Sequence, residues 1–84
     1  MMMKYNERKY LVLDAVDDLG EATAYEVWEE QEDDVSLSAI QMALLRYHKQ
    51  GLLNRWGYPK VYSLSERGEE RLEWLESLDT EEEA

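Results

Sequence analysis

Apolar residues recur at helical spacing along most of the chain, interrupted once by two short β-type runs. Val12, Ala15, Val16 and Leu19 fall on one side of a helix from about Asn6 to Leu19, with Asp14, Asp17 and Asp18 turned away. Gly20 ends it, as glycine does where the chain must leave a helix. Thr23 opens a second, short helix with a Thr-x-x-Glu capping box completed by Glu26, and Ala24, Val27 and Trp28 give its buried side. The run EEQEDD follows; it must be solvated and forms the turn to the next element.

Ser36 is the N-cap of a third helix, with Val35 before it and Ile40 after it spaced as a hydrophobic staple. Helical projection puts Ile40, Leu44 and Tyr47 on a core face. Ser38, Met42, Leu45 and Lys49 take the opposite face, flanked by Gln41 and Arg46, and Gly51 closes the helix. Leu52 to Trp56 and Lys60 to Leu64 then read as two strands joined by the turn Gly57-Tyr58-Pro59, with Tyr62 and Leu64 on one face. Ser65 caps a last helix over ERGEERLEWLESL, and DTEEEA is a frayed acidic tail. Leu72 and Leu75 suffice to pack that helix; Trp74 and Leu78 widen its apolar arc and point to a second protein surface.

Composition narrows the classes. The 84 residues make one domain, mainly α with a small β-hairpin, with a core of about residues 6–78 and the acidic tail at 79–84. A hydrophobic content of 44% argues for a folded chain, and the absence of cysteine excludes disulfides and thiolate metal sites. One histidine, His48, beside the core face of the third helix, gives no metal-ligand spacing and reads as a packed or edge residue. With no nucleophile–base constellation and no glycine-rich phosphate loop, the expectation is a non-enzyme without cofactor or metal. No apolar run reaches membrane-spanning length and MMMKYNERKY lacks the apolar stretch of a signal peptide, so the expected location is the cytoplasm.

Charge separates the chain into zones. The net charge is −11, yet from Val35 to Ser65 there is no Asp or Glu, while Arg46, Lys49, Arg55 and Lys60 lie inside that window. A helix and a hairpin sharing an acid-free surface imply a site that approaches something negative. The basic trio Lys4, Arg8 and Lys9 reads as a solvated helix end, and Glu29, Glu30, Glu32, Asp33 and Asp34 as solubility and helix-dipole residues, not ligands.

The order helix, helix, helix, hairpin, helix carries two junctions: Leu44-x-x-Tyr47-x-x-x-Gly51-Leu52-Leu53, and Val61-Tyr62-Ser63-Leu64-Ser65-Glu66-Arg67-Gly68. Together they resemble the winged helix-turn-helix domain, most closely the small transcriptional regulators of the PadR and MarR type of archaea and bacteria. The resemblance implies a DNA-binding regulator of transcription with double-stranded DNA as partner. Residues 36–50 would be its recognition helix in the major groove, and residues 56–60 its wing on the backbone. Ser36 would cap toward a phosphate; Ser38, Gln41, Met42 and Arg46 would face base edges; Lys49, Arg55 and Lys60 would hold phosphates. A monomer with four or five basic contacts would bind weakly, so a homodimer is expected, for which Trp74 and Leu78 offer a pairing surface. An alternative follows from the apolar side chains in the same region: Leu45 and Met42 with the wing aromatics Trp56 and Tyr58 would form a protein-interaction surface. No residue argues for a particular small-molecule effector.

Overall fold

A computed structural model describes the backbone of residues 4–83 and side chains from residue 7 to residue 77. Six elements follow one another: α1 (Lys4–Leu19), α2 (Ala24–Glu30), α3 (Leu37–Lys49), β1 (Leu53–Trp56), β2 (Val61–Leu64) and α4 (Glu66–Glu83). β1 and β2 pair antiparallel in the register Leu53 to Leu64 and Trp56 to Val61, each strand one residue shorter than the apolar pattern predicts. A further rung comes from outside the hairpin: Ala22, in the α1–α2 connection, exchanges backbone hydrogen bonds of 2.9 and 2.7 Å with Tyr62. That single rung attaches the start of α2 to the wing, and a lone bridging residue leaves no periodic signal in a sequence.

The core forms where α1, α3 and the hairpin meet. Val12, Leu13, Val16, Val27, Ile40, Leu44, Tyr47 and Leu52 are fully buried, and Ala43, Leu53, Tyr62, Leu72 and Leu75 nearly so. The predicted α3 core face of Ile40, Leu44 and Tyr47 is therefore found, with Ala43 completing it. On α1 the arc is shifted: Leu13 is buried, whereas Leu19 is 38% exposed at the helix end. The cause is that α1 packs against α2, α3, α4 and β2, so neighbours cover more of its circumference than one apolar stripe predicts.

The basic residues at the start of α1 also differ from a solvated helix end. Lys9 is only 4% exposed. Its stem packs inside while Nζ donates to Gln50 Oε1 at 3.1 Å and lies 5.4 Å from the centroid of the Tyr47 ring. Arg8 reaches Asp33 at 2.6 Å and Gln31 Oε1 at 3.0 Å. Asp33 is thus an ion-pair partner as well as a solubilising acid; the Lys4 side chain lies outside the described residues.

The junction into α4 explains the Ser65-x-x-Gly68 pattern. Ser65 Oγ donates to the Gly51 carbonyl at 2.6 Å and accepts from the Gly68 N–H at 3.0 Å, while the Ser65 N–H donates to the Leu52 carbonyl at 3.0 Å. A Cβ at Gly68 would collide with that Leu52 carbonyl, so only glycine lets the first turn of α4 approach so closely. From there α4 continues to Glu83, past the end predicted at Leu78 and through the acidic segment expected to fray. No glycine or proline stops it, and glutamate is a good helix former. The side chains of Leu78 and residues 79–84 lie outside the described residues.

Candidate nucleic-acid interface

α3 is fixed at both ends, by its own cap and edge residues and by side chains from α1 and α2. At its start Ser36 adopts an extended conformation (φ −79°, ψ 154°) and its Oγ accepts from the Ala39 N–H at 3.0 Å. The hydroxyl expected to meet a phosphate is therefore engaged in capping its own helix. The preceding turn is pinned by the Trp28 indole, whose Nε1 donates to the Val35 carbonyl at 2.7 Å, and by the Arg8–Asp33 pair. At the far end the His48 ring contacts the Leu53 carbonyl through Nδ1 at 3.0 Å, and Lys9 holds Gln50. His48 is thus an edge residue that joins α3 to β1.

So held, α3 presents Ser38, Gln41, Met42, Arg46 and Lys49 to solvent, Met42 with 63% of its surface exposed. Leu45, expected at the centre of that exposed face, is half-buried. It sinks into a groove of about 510 Å³ between α2, α3 and the wing. Leu37, Met42 and Leu45 form the α3 wall, Thr23, Ala24 and Tyr25 the α2 side, and Arg55, Pro59, Lys60 and Tyr62 the hairpin side. The groove brings Gln41, Met42, Leu45, Arg55 and Lys60 together; Ser36, Ser38, Arg46 and Lys49 are on α3 or its cap but outside the lining.

On the hairpin, Arg55 is exposed with its guanidinium 6.0 Å from the centroid of the Tyr62 ring, which restricts where the charge can point. Gly57 takes φ +87°, a left-handed turn residue, and the Tyr58–Pro59 bond is cis. Trp56 is 42% and Tyr58 99% exposed. Trp74 lies apart on α4, half-exposed, with the Arg71 guanidinium 5.6 Å from its ring centroid. Its predicted companion Leu78 is outside the described side chains.

Sequence reasoning missed Tyr25, Leu37 and Pro59 as groove residues, because their contribution depends on how α2 and the wing are brought to α3. The Tyr25 phenol is pushed up from its ordinary value, first by its hydrogen bond to Glu29 and then by that residue's charge. Elsewhere the Asp14 carboxyl is pushed up by partial burial and by Asp17 and Asp18, while the Arg8 guanidinium holds Asp33 below the usual carboxylate range. Among the described residues no group of three or more His, Cys, Asp or Glu could hold a metal ion, and no helix is long and apolar enough to cross a membrane.

A three-helix core, a two-stranded wing and a closing helix define the winged helix-turn-helix fold. Comparison with solved structures gives the same class. BpsR of Bordetella bronchiseptica, described with regulation of its DNA binding by 6-hydroxynicotinic acid, superposes with a TM-score of 0.76 and 19% identity. That match covers 87% of this chain and 53% of BpsR. The oxidised form of MarR from E. coli gives 0.74 with 22% identity over 84% of this chain and 52% of MarR. A Pseudomonas aeruginosa protein described as a transcriptional regulator gives 0.78 with 23% identity over 92% and 55%. The chain spans about half the length of these structures, and at such identities the likeness establishes the fold. No protein-family model and no curated protein matches the chain by sequence.

Proposed function

We propose that this chain is a DNA-binding transcriptional regulator that places α3 in the major groove and the wing on the sugar–phosphate backbone. The observation that carries this is the outer face of α3. It is tied at both ends, exposed and free of acid beside a wing with two cations, in a molecule of net charge −11. Gln41 has the donor and acceptor pattern for adenine and Arg46 for guanine, and Met42 offers a contact to a thymine methyl. Lys49, Arg55 and Lys60 supply charge for phosphates, which position the protein without specifying sequence. A monomer with so few cations neutralises few phosphates, so a homodimer paired through Trp74 and Leu78 on α4 doubles the contact. Such a protein works in the cytoplasm of a prokaryotic cell.

Titration of a fluorescent duplex at several salt concentrations tests this reading. Affinity should fall as salt rises, by counterion release. No binding at low salt, or binding indifferent to salt, would refute it.

A second reading draws support from the apolar groove. Leu45, Met42, Trp56 and Tyr58 would then meet a protein partner. Leu45→Ala, which adds no charge beside Gln41, Arg55 and Lys60, should abolish capture of that partner and leave duplex affinity little changed; an unaltered partner profile excludes this surface.

A further inference from the structure

Tyr58 at the tip of the wing has 99% of its surface exposed. An aromatic ring fully in water gives up the burial that usually keeps tyrosine in a fold. Its surroundings indicate what it meets. Gly57 holds the tip in a left-handed turn (φ +87°), and the Pro59 ring restricts the backbone on the other side. The turn therefore projects the ring from the end of the hairpin into solvent. Arg55 and Lys60 are both exposed on the same hairpin, Trp56 is 42% exposed two residues before the tip, and no carboxylate occurs between residues 35 and 65. A protein-binding aromatic is normally ringed by apolar residues that exclude water. Here the neighbours along the hairpin are glycine and proline, then Trp56 and the cations Arg55 and Lys60. An aromatic platform bracketed by cations is the combination that binds bases and their phosphates. In regular duplex the bases are already stacked on one another, so a free ring gains a partner only where a step opens, at a flexible pyrimidine–purine step or an unpaired base.

We infer that Tyr58 is a base-stacking residue, which sets its ring against a base unstacked at a weak point of duplex DNA while Arg55 and Lys60 hold the flanking phosphates. The inference rests on the DNA-binding reading above and adds to it a preference for deformable sites that is independent of the base edges facing α3.

The test uses the full chain and two labelled duplexes of one sequence at low salt, one fully paired and one with a single bulged 2-aminopurine. The bulged duplex should bind about tenfold tighter, the size expected for one stacked base, and its 2-aminopurine fluorescence should be quenched on binding. Tyr58→Ala should abolish both the preference and the quenching, and Tyr58→Trp should keep both. Circular dichroism of each variant reports that the exposed substitution leaves the fold intact. Equal wild-type affinity for the two duplexes, or a preference that survives Tyr58→Ala, overturns the stacking role and leaves the DNA-binding reading standing. No binding to either duplex overturns that reading too and leaves the tip to a protein surface.

Discussion

The window from residue 35 to residue 65 and the segment after it are adjacent in sequence and opposite in character. The first carries a formal charge of +4 and the second, residues 66–84, one of −7. They differ in mechanics as well. α3 is tied at both ends by Ser36, Trp28, His48 and Lys9, whereas α4 is anchored at its first turn and through Leu72 and Leu75. Beyond Leu75 it runs on to Glu83. A face that must meet an anion needs fixed geometry and no like charge; the acidic positions of α4 are under no such constraint. Acids are thus absent from the segment whose helix is tied at both ends.

The largest break in this contrast comes from hollowing out the inner side of α3. Ile40→Ala or Leu44→Ala should lower unfolding free energy by roughly 2–5 kcal/mol in urea denaturation, because both side chains are fully buried and leave cavities. Gly68→Ala strikes the boundary between the two regions. Its Cβ must push α4 away from the Leu52 carbonyl, at a cost of about 1–3 kcal/mol by the same measurement.

These two positions also show what a sequence reveals. The α3 face was legible because apolar and polar residues alternate there at a clear helical period, and Ser36 marked the start. The Ser65-x-x-Gly68 junction was legible as a pattern, although the carbonyl that Gly68 must clear comes from sixteen residues earlier in the chain. Lys9 was not legible. A lysine in a polar first turn looks solvated until Gln50 and Tyr47, both on or next to α3, are brought over it. The groove was hidden for the same reason: Leu45 looks fully exposed on an isolated helix, and the wing and α2 that half-cover it are brought there by the packing of α2 and β1 on α3 and by the Ala22–Tyr62 rung.

Within the outer face, Arg46→Ala should weaken specific binding by about 1–3 kcal/mol and relax the preference at one base pair. Lys49→Ala or Arg55→Ala should weaken specific and non-specific binding alike and lower the salt slope by about 1 each. Competition titrations with specific and random duplex separate the two behaviours, and an unchanged specific-to-random ratio for Arg46→Ala shows that α3 presents a different face.

The smallest effect concerns the turn before α3. Asp33 has a folded-state pKa below its ordinary value of 3.8, so its pairing with Arg8 stabilises the fold above that pH and is lost as pH falls through the lowered value. Both side chains are substantially solvated, so Arg8→Ala should cost less than about 1 kcal/mol at neutral pH. In urea melts at a series of pH values, the difference between wild type and variant should shrink below pH 3.8.

The contrast between the two regions is tested most directly by residue-resolved NMR of the chain titrated with duplex DNA. Amide shifts are expected at Ser38, Gln41, Met42, Arg46 and Lys49 and along the wing from Arg55 to Lys60, with Glu69 to Glu76 on α4 unmoved apart from changes at a dimer contact around Trp74. Shifts centred on α4, with the α3 face and the wing silent, would contradict the account.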